Sequence, residues 1–182
     1  MGVYRARDVW RVPGLLSLSR LPLGAAFPFT LAHPGWALVV LAAAGGSDVL
    51  DGWYARRFGQ VTATGTALDP ITDKVFVLTV AASLVAAHLL RPLDVVLLST
   101  RELAEVPLVV WIATSSRARS LRVAHPSANL PGKLATAFQF AAAGAALFRL
   151  LELRWLVGAT AVVGLVAAAT YWSRALHPAR KS

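Results

Sequence analysis

Nine residues of this chain are acidic, and four of them crowd into 26 positions: Asp48, Asp51, Asp69 and Asp73. Asp48 and Asp51 are spaced i,i+3 and Asp69 and Asp73 i,i+4, so each pair shares one face of a helix. A short connection makes the two helices antiparallel neighbours and brings the four carboxylates to one depth. Uncompensated, they would repel one another and take up protons, and the nearby Arg56 and Lys74 are too few to neutralise them. Hard divalent cations, Mg2+ or Mn2+, match an all-oxygen donor set of this kind. Two such ions about 3.5–4 Å apart form a clamp for in-line displacement at phosphorus. Gly52 and Gly65 let a large ligand approach the helix backbones, and Arg56 is placed to hold a phosphate oxygen. Helix capping at an interface would explain one of these aspartates but not four on two facing helices.

The elements that must position them are apolar. The 182 residues are 57% hydrophobic and only 15% charged, with a mean hydropathy of +0.60, which excludes disorder and does not fit an ordinary soluble domain. The absence of cysteine excludes disulfides, thiolate metal sites and a cysteine nucleophile. Apolar windows long enough to cross about 30 Å of hydrocarbon fall at 14–32, 35–54, 66–90, 93–114, 133–151 and 155–172. The expectation is an all-α integral membrane protein, one six-helix domain over 1–182, since open sheet cannot satisfy its backbone in lipid.

Six spans place both termini on one side with the loops after the second and fourth spans. That side carries 13 Lys and Arg against three opposite, so it is predicted to be cytoplasmic, in a multi-pass inner (plasma) membrane protein whose acidic cluster faces the cytoplasm. The six Trp residues lie near predicted helix ends, as an interfacial belt requires. The formal charge of +9 is therefore mostly topological, with the Arg117 to Arg122 loop also suited to anionic lipid or a phosphorylated ligand, and no nucleic-acid partner is expected. Arg20 interrupts the first apolar run, which argues for a retained span rather than a cleaved signal peptide. Val3 to Trp10 is predicted as a short amphipathic surface segment.

The pattern Asp48-x2-Asp51-Gly52-x2-Ala55-Arg56-x8-Gly65-x3-Asp69-x3-Asp73 resembles the signature of the CDP-alcohol phosphotransferases at all eight fixed positions. The resemblance implies a six-helix membrane fold, a homodimer, and transfer of a substituted phosphate from a CDP-linked donor to an alcohol with release of CMP. It implies Asp48, Asp51 and Asp69 as ligands of two divalent cations. Asp73 would contribute to that site or act as base toward the acceptor hydroxyl. Asp48, Gly52, Ala55, Arg56 and Gly65 would line the cytidine diphosphate pocket.

Two further segments bear on the acceptor. Val12-Pro13-Gly14-Leu15-Leu16-Ser17-x2-Arg20 and Gly132-Lys133-Leu134-Ala135-Thr136-x2-Gln139 are similar to segments of bacterial phosphatidylglycerophosphate synthases. In the second, Ala135 stands where those enzymes carry another Lys. The resemblance points to CDP-diacylglycerol as donor and to glycerol 3-phosphate as acceptor, with phosphatidylglycerol (a cardiolipin synthase) or an inositol-type alcohol as alternatives. Lys133, Arg101 and Arg122 are the candidates for the acceptor phosphate. Arg101 and Glu105 are also spaced for a plain i,i+4 ion pair, and Pro107 is expected to kink its helix. A cation transporter is the rival of another class. It predicts a site at mid-membrane within internal repeats, and the chain shows neither.

Overall fold

The computed structural model describes residues 12–58, 63–114 and 130–176, and every regular element among them is an α-helix. The chain divides into two compact units, 1–90 and 91–182.

The first unit contains α1 (Val12–Leu18), α2 (Arg20–Thr30), α3 (Pro34–Arg57) and α4 (Ala63–Ala86). The predicted first span is thus two helices, broken at Ser19. Proline at position 22 has no N–H to donate to the Leu18 carbonyl, so the ladder fails there. The Ser19 hydroxyl turns back to the Leu16 carbonyl at 2.6 Å. α3 starts on Pro34, which suits a first helical position, after an extended His33. Among the described residues α1 and α2 each pack against both α3 and α4. On α2 the buried residues are Arg20, Gly24 and Phe27, and on α3 Ala37, Leu41, Ala44 and Ser47. On α4 they are Thr72, Phe76, Val80 and Leu84. These are single stripes at helical spacing. A Cβ on Gly24 would lie 3.4 Å from a ring carbon of Phe76, so α2 and α4 meet there at van der Waals distance.

The second unit contains α5 (Pro92–Leu98), α6 (Thr100–Thr114), α7 (Leu130–Leu147) and α8 (Leu153–Leu176). α8 packs on α5, α6 and α7 through Val157, Thr160, Gly164, Ala167 and Ala168. A Cβ on Gly164 would approach the Arg101 nitrogen to 3.2 Å, so this contact is built for glycine. The Trp172 indole N–H donates to the Ala104 carbonyl at 3.0 Å. The predicted fourth span is also two helices, and its interruption falls at Ser99, whereas α6 continues through Pro107. Side chains capture the carbonyls at the break: Thr100 Oγ1 donates to Leu97 and Gln139 Nε2 donates to Leu98 at 2.7 Å. Such insertion into the i→i−4 ladder is a recognised cause of interruption. At the start of α5 the Asp94 carboxylate accepts from the Arg91 backbone N–H and guanidinium at 2.9–3.1 Å. These bonds hold the Arg91 side chain more firmly in its charged form.

One segment among the described residues, Leu153–Ser173, is long and apolar enough to cross a membrane. Of the other predicted spans, two are broken. α3 is uniformly apolar only over Pro34–Ser47 because Asp48, Asp51, Arg56 and Arg57 fill its last turns. α4 likewise carries Asp69, Asp73 and Lys74.

His88 and Arg149 follow the ends of α4 and α7 with φ of 54° and 52°. Each is succeeded by a residue whose N–H reaches back five positions at 2.9 Å, Leu89 to Leu84 and Leu150 to Ala145. This is the left-handed helix stop usually filled by glycine. Arg149→Gly should therefore raise stability by about 0.5–1 kcal/mol, read as a higher thermal midpoint in detergent.

Candidate active site

The motif is distributed over the last turns of α3 and the first half of α4, all within the first unit. Asp51 stands six residues before the end of α3 and Asp69 six residues after the start of α4. At 1.5 Å per residue both lie about 9 Å from the α3–α4 connection. Asp48 and Asp73 stand nine and ten residues from the same connection, about 14–15 Å away. The two pairs are thus matched in level along their helices. The register of α3 carries the packing stripe Ala37, Leu41 and Ala44 onward to Asp48, Asp51 and Ala55 in alternating steps of four and three.

The side chains of Asp48, Asp51, Gly52, Ala55, Arg56, Gly65 and Asp69 lie outside the described residues. Asp73 is described and exposed, next to the buried Thr72. In donor chemistry the set fits a hard divalent cation: four carboxylates and no sulfur, on two helices of one unit. At the end of α3, Phe58 packs against Tyr54 with ring centroids 4.4 Å apart and meets Trp53 edge-on at 6.4 Å.

Arg20 ends the Val12-to-Arg20 segment and has no place in the aspartate motif. It opens α2, is 1% exposed, and places its Nε 3.5 Å from the Ser47 hydroxyl. Ser47 in turn donates to the Ala44 carbonyl at 2.8 Å. The available signals were an arginine in an apolar run, where an ionisable group is functional by default, and its place at the end of the Val12-to-Arg20 segment.

The acceptor candidates belong to the second unit. Arg101 donates through Nη1 to the Gly132 carbonyl at 2.9 Å and to Thr136 Oγ1 at 3.0 Å, and its Nη2 lies 2.7 Å from Glu102. The expected Arg101–Glu105 pair is present but long, at 3.9 Å. Gln139 Nε2 also lies 3.2 Å from a Glu102 oxygen. The Gly132-to-Gln139 segment, the first turns of α7, therefore ties down Arg101 and Glu102 of α6. Lys133 on the same turn is exposed, and Ala135 is fully buried. Arg122 and the 117–122 loop lie outside the described residues, as does Val3 to Trp10.

A family model described as CDP-alcohol phosphatidyltransferase matches residues 10–171. A protein of Streptomyces coelicolor named cardiolipin synthase (CMP-forming) is 34% identical over 136 residues, covering 70% of this chain and 60% of its own length. A chloroplastic CDP-diacylglycerol–glycerol-3-phosphate 3-phosphatidyltransferase of Oryza sativa is 37% identical over 112 residues, 60% of this chain and 33% of that protein. The corresponding enzyme of Aquifex aeolicus is 42% identical over 67 residues, 36% of this chain and 38% of that protein. In each case the match spans less than two thirds of the relative's own length.

Proposed function

The chain belongs to the CDP-alcohol phosphatidyltransferase family, and from that premise we propose that it moves the phosphatidyl group of CDP-diacylglycerol to an alcohol, releasing CMP. The observation that carries this reading is the complete eight-position motif, matched in level on α3 and α4 of one unit. Asp48, Asp51 and Asp69 would hold divalent metal, Mg2+ or Mn2+, with Asp73 beside them. Bound there, two cations supply charge neutralisation for the donor pyrophosphate and the departing CMP. Arg56 holds a phosphate oxygen, and Gly52, Ala55 and Gly65 leave room for the nucleotide. Asp73 accepts the proton of the acceptor hydroxyl as its oxygen bonds to the phosphatidyl phosphorus, while the bond from that phosphorus to the CMP oxygen breaks.

Glycerol 3-phosphate is the first acceptor in this reading, with the exposed Lys133 as its phosphate contact. Both terminal nitrogens of Arg101 are already engaged by protein groups. Phosphatidylglycerol is the second reading, favoured by the Streptomyces coelicolor relative and by the buried, uncharged Ala135. The protein is read as a multi-pass component of the inner membrane, with its site and both termini cytoplasmic, and as a homodimer. In support of membrane burial, Leu151 is 91% and Trp155 82% exposed, and five tryptophans stand near the ends of described helices.

The test is CMP release by the purified protein in detergent with Mg2+ and CDP-diacylglycerol, offering acceptors singly. Release with glycerol 3-phosphate is expected. Release only with phosphatidylglycerol moves the function to cardiolipin synthesis, and release with no alcohol overturns the reading. Lys133→Ala should raise the KM for glycerol 3-phosphate about tenfold, as loss of one charge-assisted contact implies, with the donor KM unchanged. An equal rise for both substrates assigns Lys133 a structural role.

A further inference from the structure

Among the described residues Arg20 is the largest fully buried side chain. Arginine is not deprotonated in proteins, so a whole positive charge lies inside the first unit. A buried ion is tolerated when an opposing charge and hydrogen bonds compensate it. The Ser47 hydroxyl is neutral, so the compensating charge comes from elsewhere in the unit. The acids of that unit are Asp8, which precedes the described residues, and the four motif aspartates. Position favours the motif. Ser47, in contact with Arg20, directly precedes Asp48 and stands one turn before Asp51. From the Gly24–Phe76 contact, one turn back leads to Arg20 on α2 and to Thr72, the neighbour of Asp73, on α4.

We propose that Arg20 is the built-in counter-cation of the aspartate motif, a positioning residue that keeps four crowded carboxylates together before metal and nucleotide arrive. The proposal rests on the reading of those aspartates as a divalent-cation site. A permanent positive charge beside the site opposes an incoming cation and favours the anionic nucleotide that follows. Removing it should therefore tighten metal binding and weaken nucleotide binding, a pair of opposite shifts that loss of packing alone does not produce.

The experiment is titration of the purified full chain with Mn2+ alone, then with CMP at saturating Mn2+, by calorimetry, together with melting curves with and without Mn2+. In Arg20→Gln the Mn2+ dissociation constant should fall roughly tenfold, as expected for losing one like charge near the site, and CMP affinity should fall. Melting without metal should drop, and Mn2+ should recover more of it than it adds to wild type. Arg20→Lys keeps the charge and should stay within about twofold of wild type for Mn2+. Ser47→Ala, which removes only the neutral contact, should leave the Mn2+ affinity unchanged. Unchanged or weaker Mn2+ binding in Arg20→Gln overturns the role of Arg20 while leaving the aspartate site standing, whereas a wild-type protein that binds no Mn2+ overturns both. If the glutamine variant does not fold, the lysine variant decides: wild-type Mn2+ affinity supports the charge role, and a tenfold change overturns it.

Discussion

Asp73→Asn should lower turnover by about 10²–10⁴-fold, the range for losing a positioned general base. The asparagine amide keeps the shape of the side chain but cannot take a proton from the acceptor hydroxyl. Asp73 is exposed on α4 and asparagine matches its size, so the variant should fold with a transition as cooperative as that of wild type. CMP release with CDP-diacylglycerol and each acceptor measures the first effect, and a melting curve the second. Binding of CMP in the presence of Mg2+ should survive, because the other aspartates and Arg56 remain. Turnover within a few-fold of wild type would remove Asp73 from the proton transfer. Loss of activity together with loss of nucleotide binding would instead move it among the groups that hold the donor.

Much of the helical layout was legible because apolar periodicity is a long-range signal. The windows at 35–54, 66–90, 133–151 and 155–172 correspond to α3, α4, α7 and α8, differing by up to four residues at their ends. The two interruptions fall at polar steps, Ser19-Arg20 and Ser99-Thr100-Arg101, but a window of about 20 residues averages each step away. One is a missing N–H at Pro22, a local backbone effect. The other depends on Gln139, which reaches the Leu98 carbonyl from 41 positions away. A tertiary hydrogen bond of that separation leaves no trace in a local window. Arg101 follows the same logic: its sequence neighbourhood offered Glu105, while the fold supplied the Gly132 carbonyl and Thr136. The motif itself could be read because chemistry demands residue types at fixed helical spacing. The position of Arg20 could not, because only packing shows that a charged residue in an apolar run points inward to Ser47.

The same register explains why the motif is spaced as it is. Along α3, Ala37, Leu41, Ala44 and Ser47 are buried, and in sequence the alternating steps of four and three from Ala37 to Ala44 run on to Asp48, Asp51 and Ala55. Small side chains bring the helices close, and the line then changes from apolar to carboxylate as it nears the α3–α4 connection. A ligand set carried on two helices would inherit their rigidity, which holds metal donors more precisely than a loop would.

That rigidity gives the second large expectation. Asp48→Asn and Asp51→Asn should each raise the Mg2+ concentration for half-maximal CMP release by about 100-fold or more. Even groups that only support metal ligands are worth about 10–100-fold in affinity, and a ligand that also loses its negative charge should cost at least the upper end of that range. High Mg2+ should restore part of the turnover, because the amide oxygen remains a weak donor in the same place. Glu152→Gln is the control: the residue is exposed, belongs to the other unit, and should leave the Mg2+ curve unmoved. Direct Mn2+ titration should follow the same order, so that weak metal binding is separated from slow chemistry. An unchanged curve in either motif variant would strike that aspartate from the ligand set. If both curves were unchanged while turnover fell, the carboxylates would be holding the substrate rather than a metal, and the charge balance assigned to Arg20 would have to be sought with the nucleotide instead.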